Sequence, residues 1–494
     1  MSPMRPRSTC GETPHTGLQG SPAYTPRMPE ATTWRLLAAA SLLVLAASAC
    51  APPGVARAAK PVLDEPPREE PYPREALAAA RVTADGCQLD GDVAGGVAFS
   101  PDLDLRGDPG FDPADLPPDV LCWYEALWDV IEDRGDYFTR RAQRYDLYTY
   151  AREVNNHMVA LFTAFRVTGD LRLLDEIDRL AQHMRAQLDD AWRGRYSRAE
   201  GSADGYLNWV WDQDHSDEHH GRDLHETDEM RTHSMVAQFA YAFRLNADLE
   251  SPNGVDYGER AAFWTDYLRN HFEAKWRERH RVPWPRFPFL ERPHLHETLE
   301  FVRYHHYMYL LTGEEPYAQE ARRLSRVAFE NFREAETPSG PALVTPRSVL
   351  SMGGSLDYLI PSVYFRHVIA TVVDLHFEGV EPWSDGEVME KLARALSEFM
   401  LDGEDGGVAA RDVGGGRERA GLKPSGESNW SRISSGVYNI SAFALLAAWD
   451  GSGEVAELSV AVHDHRGEAE KNVFIPSGLL LRSALRGGAV ASGG

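Results

Sequence analysis

The sequence predicts an all-α protein assembled from repeated helical hairpins, on three observations. First, from about residue 117 long, mostly apolar segments alternate with amphipathic ones such as LRLLDEIDRLAQHMRAQL and EEPYAQEARRLSRVAFENF, whose apolar residues recur at helix-face spacing. Second, each pair is joined by a similar turn: VTGDL, LNADLES, LTGEEP, FEGVEP and WDGSGE, centred near Gly169, Ala247, Gly313, Gly379 and Gly451. The centres recur roughly every 70 residues, too long a period for a tetratricopeptide or HEAT unit. Third, a long loop leads from each amphipathic helix to the next apolar one, so the long loops gather where the apolar helices begin.

The elements follow in order. The apolar helices are expected over 145–167, 225–246, 296–311, 357–377 and 437–449. The segment PPDVLCWYEALWDVIEDRGDYF (117–138) and a last helix near 470–486 bring the total to about six hairpins. Helices apolar on every side suit an inner ring and amphipathic ones an outer ring, which makes residues 117–494 an (α/α) toroid. An open α-solenoid is the rival arrangement, and the long loops at one end favour the toroid.

Ahead of this domain the chain reads as an export signal and a tether. From Met28, the expected functional start, one Arg precedes an apolar run of about 14 residues, which suits a signal peptide better than a bilayer span. Residues 1–49 form the signal region, and ASAC at its end resembles a bacterial lipobox. That resemblance implies lipidation of Cys50 and, with Ala51 following, an outer-membrane address; the alternative is an ordinary signal peptide cut after Ala49 and a periplasmic product. Residues 50–75 are a Pro-rich tether, and 76–116 an irregular arm. No second apolar run reaches membrane length, so the lipid is the expected membrane contact. Once Cys10 is removed and Cys50 is lipidated, Cys87 and Cys122 remain, either as one disulfide or as two buried thiols. The net charge of −24 argues against nucleic acid as a partner.

Polar and aromatic residues concentrate where the apolar helices begin. VNNHM (154–158), HSDEHHGRDLHETDEMRTH (215–233), ERPHLHETLEFVRYHHYMY (291–309), SLDYLIPSVYFRH (355–367) and NWSRISSGVYN (429–439) all lie there. The pattern resembles the (α/α)-toroid superfamily of carbohydrate-active enzymes, polysaccharide lyases and six-hairpin glycosidases, over about residues 120–490. The resemblance implies a polysaccharide substrate lying across the inner-helix N-termini.

VNNHM is similar to the Asn-Asn-His of alginate and uronan lyases. This implies that Asn156 helps neutralise a uronate carboxylate, while His157 acts on the C5 proton or orients the base. β-Elimination needs that set because a proton beside a carboxylate is weakly acidic: the charge must be dispersed, a base must reach C5 and an acid O4. Arg303 or Arg231 is the expected cation. Arg222 is followed seven residues on by Glu229 where the alginate lyases have Tyr, so the phenol is sought at Tyr206, Tyr304, Tyr307 or Tyr309. Arg303, His306 and Tyr307 share a helix face at i, i+3 and i+4. His233 completes the catalytic candidates, and His225, His306, Trp209, Trp430, Arg366 and Arg231 are candidate substrate contacts. The structural alternatives are a polar plug at VNNHM and a packed aromatic helix at 303–309.

The stretch 215–233 holds five of the 18 histidines, with six acids between them. His225, Glu229 and His233 recur at four-residue spacing, and His294 or His296 from HLHE (294–297) could join them around a divalent cation. Histidines suit zinc, and the acids alone would suit calcium. HETDE is not HExxH, so no zinc signature is matched. A substrate contact without metal and a solvated rim are the other readings, and no cofactor is required. The acids would repel a polyuronate unless cations intervene. They would suit a hydrolase with two carboxyls about 6.5–9.5 Å apart, drawn from Glu226, Asp228 and Glu229. The expectation is a uronan lyase; the alternatives are a glycoside hydrolase and a non-catalytic glycan-binding lipoprotein. VGGGRERAG (413–421) has no preceding strand and is not expected to cradle phosphate.

Overall fold

The computed structural model describes residues 87–89, 102–144, 146–192, 202–209, 226–280, 294–349, 358–401, 409–410, 412–425, 430–431, 441–465 and 473–491. The chain parts into two compact units, Met1–Glu69 and Glu70–Gly494, and every described residue belongs to the second. The signal region, Cys50, the tether and His225 lie outside the described residues. Among the described residues no helix is long and apolar enough to cross a membrane.

The protein is all-α, with three small two-stranded antiparallel sheets among the described residues. Helix α1 (Pro118–Ala142) is followed by α2 (Asn155–Thr168), which is entered through a turn at Leu147–Thr149 and a π-helical turn at Tyr150–Val154. Then come α3 (Leu171–Arg185), α4 (Glu226–Leu245) and α5 (Tyr257–Asp266), the last running on through π-helical Tyr267–Glu273 to His280. Helices α6 (Leu295–Thr312), α7 (Glu315–Phe329), α8 (Ser362–Phe377) and α9 (Gly386–Ala395) repeat the plan. A 3-10 helix at Ser441–Leu446, α10 (Glu454–His465) and α11 (Phe474–Ala491) complete it.

The turns at the hairpin tips explain the repeat. Gly169 ends α2 in the left-handed region at φ 66°, where its N–H donates to the Phe165 carbonyl at 2.7 Å. Asp170 then caps α3 by accepting from the Arg172 N–H. Gly313 repeats the device at φ 71°, with its N–H on the Tyr309 carbonyl. Burial follows the predicted division: α2 is buried on nearly every side, whereas α3 buries one stripe, Leu173, Leu174, Ile177, Leu180, Ala181 and Met184.

Three apolar helices pack on their amphipathic partners, α2 on α3, α4 on α5 and α6 on α7. The apolar helices also pack on one another: α2 on α4, α4 on α6, α6 on α8, α8 on the 3-10 helix, that helix on α11, and α11 on α2. The described part of the arm crosses the turn end. Asp108 N–H donates to the Gly169 carbonyl, Gly107 N–H to Asn246 Oδ1, and Arg106 pairs with Asp248. Cys87 and Cys122 are joined as a disulfide that fixes the arm to α1.

Three differences from the sequence reading have local causes. The segment expected as a helix over 437–449 is described only from 441 and begins as a 3-10 helix. Helix α8 begins at Ser362 rather than 357 because Pro361 sits at its N-cap in extended backbone. The long loops also hold antiparallel pairs that no alternation announced: β1 (Asp189–Trp192) with β2 (Ser202–Asn208), β3 (Arg333–Thr337) with β4 (Gly340–Val344), and β5 (Ala409–Ala410) with β6 (Trp430–Ser431). Isolated backbone bridges, His294 to Ser348, Pro346 to Leu359, Tyr358 to Lys423 and Pro361 to Asp412, tie together the loops from which α6 and α8 start.

Candidate functional site

The starts of α2, α4, α6 and α8 bring together a connected set of side chains around Arg231. This guanidinium is buried in the first turns of α4. Its Nη1 donates to His367 Nε2 at 2.8 Å, and its Nη2 to Asn156 Oδ1 at 3.3 Å. Its Nε lies 3.4 Å from Glu300 Oε1. The other Glu300 oxygen accepts from Arg303 at 2.8 Å and from Ser234 at 2.7 Å. Beside this core, Arg152 pairs with buried Asp228 at 3.3 Å. His296 stacks on the Tyr364 ring at 4.7 Å and lies 6.2 Å from His367, ring centre to ring centre. Arg347 holds its guanidinium 6.0 Å from the centre of the same Tyr364 ring.

Two consequences follow for the polar groups. With its Oδ1 held by Arg231, Asn156 turns its NH2 group the other way, and the residue is only half-buried. His367 accepts at Nε2, so its proton sits on Nδ1, and that atom has no hydrogen-bond partner; neither has His296 Nδ1.

The charge of the cluster is locally positive in an acidic chain. Arg152, Arg231, Arg303, Arg347 and Arg366 stand against Asp228, Glu297 and Glu300 at this end. Burial, with Arg366 and Arg152 nearby and only Glu300 and Asp228 opposing, lowers Arg231 to about 9. Burial also holds His296 and His367 well below the ordinary imidazole range. Neighbouring His294 and Arg231 add to the effect at His296, and Arg231 and Arg366 at His367. Both imidazoles are therefore neutral at pH 7.

Of the residues singled out in the sequence, Asn156, Arg231, Arg366 and Arg303 lie at this end, but Arg303 is turned onto Glu300 and Ser234. His157 does not join Asn156. One residue further on, it points about 100° around the helix and stacks on Phe138 of α1 at 3.8 Å, with neither ring nitrogen hydrogen-bonded. His233 turns to the outer helix, where it lies 2.9 Å from the Tyr267 hydroxyl and 3.7 Å above Phe272. Trp209 is wholly buried, donates to the Met184 carbonyl, and is packing rather than a sugar contact.

The expected phenols also lie elsewhere. Tyr206 donates to Glu278, and Tyr304 to Glu273. Tyr307 donates to Asp374, deeper between the helices, where His306 lies 3.5 Å from Glu378. Trp430 is described only by its backbone in β6.

Of the expected cation set, His225 lies outside the described residues, and Glu229, His233 and His294 each meet other partners. Glu229 is buried and accepts from Lys275 at 2.9 Å and from Trp276 at 3.0 Å. Both ring nitrogens of His233 are engaged, Nδ1 at the Glu229 carbonyl and Nε2 at Tyr267. His294 sits at the N-cap of α6 against His296. Among the described residues no group of three or more His, Cys, Asp or Glu is gathered as a metal site would need. Asp228 and Glu229, the acids of 215–233 whose side chains are described, each pair with a cation.

The sequence reading missed Tyr364, His367 and Glu300 as parts of one site and offered His296 only as a metal ligand. A signal was present for two of them. Pro361 marks a helix start, and Tyr364 and His367 follow three residues apart, on one face. Comparison with protein-family models, curated proteins and solved structures found no match to this chain.

Proposed function

We propose that this chain is an exported, lipid-anchored polysaccharide lyase that cleaves uronate-containing glycans at the starts of α2, α4, α6 and α8. The closed order of helix neighbours, α2–α4–α6–α8–3-10–α11–α2, supports an (α/α) toroid with these starts at one mouth. The observation that carries the activity is the pairing of a charge-dispersing group with two neutral imidazoles and a half-buried phenol. Asn156, held by Arg231, offers its NH2 to a carboxylate, with Arg152 and Arg366 adding positive charge. The His296 imidazole and the Tyr364 phenol are the acid–base pair.

In this reading the base takes the C5 proton, and the electron pair forms the C4–C5 double bond. The C4–O4 bond breaks, and the acid protonates O4 of the leaving sugar. Dispersal of the carboxylate charge by fixed donors lowers the barrier to the first step. No step requires a metal. The lipid at Cys50 is the proposed membrane tie and the outer membrane the proposed address.

The test incubates the whole chain with alginate, glucuronan and pectate, with and without EDTA, and follows ultraviolet absorbance of the new double bond. A rise abolished in Asn156→Ala supports the reading, and loss with EDTA would add a divalent cation to it. Folded protein giving no rise on any uronan would turn the assignment to hydrolysis or to glycan binding without turnover.

A further inference from the structure

Beyond the reacting residue, and resting on the uronan reading above, we propose a second anionic-sugar subsite formed by Arg347, Tyr358 and Lys423. It would hold the uronate adjoining the one at Asn156, with the sugar ring on the Tyr358 face and its carboxylate between the two cations.

The three residues lie on neighbouring backbone segments. Arg347 N–H donates to the Tyr358 carbonyl at 2.9 Å, and Tyr358 is the bridge partner of Lys423, whose carbonyl accepts from Leu359 N–H at 2.8 Å. Bridged segments run about 5 Å apart, so the side chains form a short row of cation, aromatic ring and cation. Tyr358 is 45 % exposed and is the one large apolar side chain standing open among the described residues. Among those residues, neither Arg347 nor Lys423 has a carboxylate partner, in a chain that carries a net charge of −24.

Basic residues on an exposed edge can serve simply to block strand pairing between molecules. Arg347 does more than that. It reaches back to the Tyr364 ring at 6.0 Å, which makes the row continuous with the proposed acid–base pair. The row is also held rigidly. Asp412, fully buried, accepts from the N–H groups of Gly414 and Gly416 on one oxygen and from Ser425 N–H on the other, and it bridges to Pro361 at the start of α8. The glycine-rich run 413–421 is thus a brace for the turn that carries Lys423. Gly415 adopts φ 69° with its α-carbon against the Phe399 carbonyl, a position closed to any side chain. A ligand meeting this row would order the Arg347 and Lys423 side chains but not the backbone that carries them.

The experiment titrates di-, tetra- and hexauronates prepared from alginate, glucuronan and pectate into the whole chain and into Tyr358→Ala and Lys423→Ala, both exposed positions. The expected result is that lengthening from di- to tetrauronate tightens binding about tenfold in the wild type, and that each variant loses most of that gain while binding the diuronate unchanged. Added salt should erase the Lys423 contribution first. If the variants bind tetrauronate as well as the wild type does, the subsite is overturned and the site at Asn156 stands. If folded wild-type protein binds no uronate of any length, the uronan reading falls, and the subsite with it.

Discussion

Two polar clusters lie among the apolar helices, and they are built on opposite terms. The one nearer the hairpin turns is closed around its cation. Arg166 Nη2 donates to Asp374 at 2.8 Å, to Glu378 at 2.5 Å and to the Tyr307 hydroxyl at 3.1 Å, while Asp374 also accepts from Gln238. Burial alone would weaken the Arg166 charge, but Glu378, Tyr307 and Asp374 outweigh it and raise its pKa. At the other end burial prevails: Arg231 is lowered to about 9 with like charges beside it, and Nδ1 of both His296 and His367 has no partner. Buried polar groups are nearly always satisfied, and the proposed ligand would complete the ones left open here. Tyr307 and His306, both site candidates in the sequence, are engaged here with Asp374 and Glu378.

The largest effect should come from breaking the closed cluster. Arg166→Ala leaves Asp374 and Glu378 buried without their cation and should cost about 3–5 kcal/mol in urea unfolding. Arg231→Ala should cost half of that or less, because Glu300 keeps Arg303 and Ser234 and the repulsion from Arg366 and Arg152 is relieved. Equal losses would make Arg231 structural as well and would end the contrast. Reducing the Cys87–Cys122 disulfide tests the turn end separately. The bridge spans 35 residues, and Cys87→Ser should lower stability by about 3 kcal/mol while leaving turnover at the distant helix starts unchanged.

The open cluster should respond in rate rather than stability. Asn156→Ala removes the donor aimed at the carboxylate and should slow uronan cleavage about 100-fold, roughly 2.7 kcal/mol in the barrier, with the urea midpoint nearly unmoved. Loss of folding in Asn156→Ala would instead mark the residue as the polar plug that its sequence also allowed.

The sequence carried the hairpins well and the site only in part, for physical reasons that particular residues illustrate. The turns were legible because Gly169 and Gly313 occupy left-handed caps and Asp170 caps the following helix, all local requirements. Asn156, singled out by the likeness of VNNHM to the Asn-Asn-His of uronan lyases, lies with Arg231 and Arg366 at the helix starts, where polar groups in an otherwise apolar helix are conspicuous. His157, His233 and Tyr304 meet other partners than expected because an apolar helix is buried on every side, and Trp209, just past β2, packs under the Met184 carbonyl. Composition does not say whether a given residue faces the neighbouring apolar helices or the amphipathic layer. His157 and Asn156 are adjacent in sequence yet meet different partners, Phe138 and Arg231. The Arg347–Tyr358–Lys423 row was invisible because it is assembled by backbone bridges between segments far apart in the chain.

The misplaced histidines give the finest test of the contrast. Burial lowers His157 to about 3, with Arg179 and Arg134 adding to it, and it lowers His233 to about 4 against a partial offset from Glu229. In the unfolded chain both protonate below the ordinary 6.5 while the folded protein keeps them neutral, so the unfolded state binds more protons. Stability should therefore be whole above pH 6.5 and fall as pH drops towards about 4, each group contributing about 1.4 kcal/mol per pH unit in that window. His157→Phe keeps an aromatic ring on Phe138 and deletes one titrating group, so the slope of stability against pH between 6 and 4 should flatten by about that amount. Turnover at neutral pH should not change. A variant that kept its fold but lost turnover would return His157 to the reaction and dissolve the distinction between the imidazole in the α1 packing and the two at the open cluster.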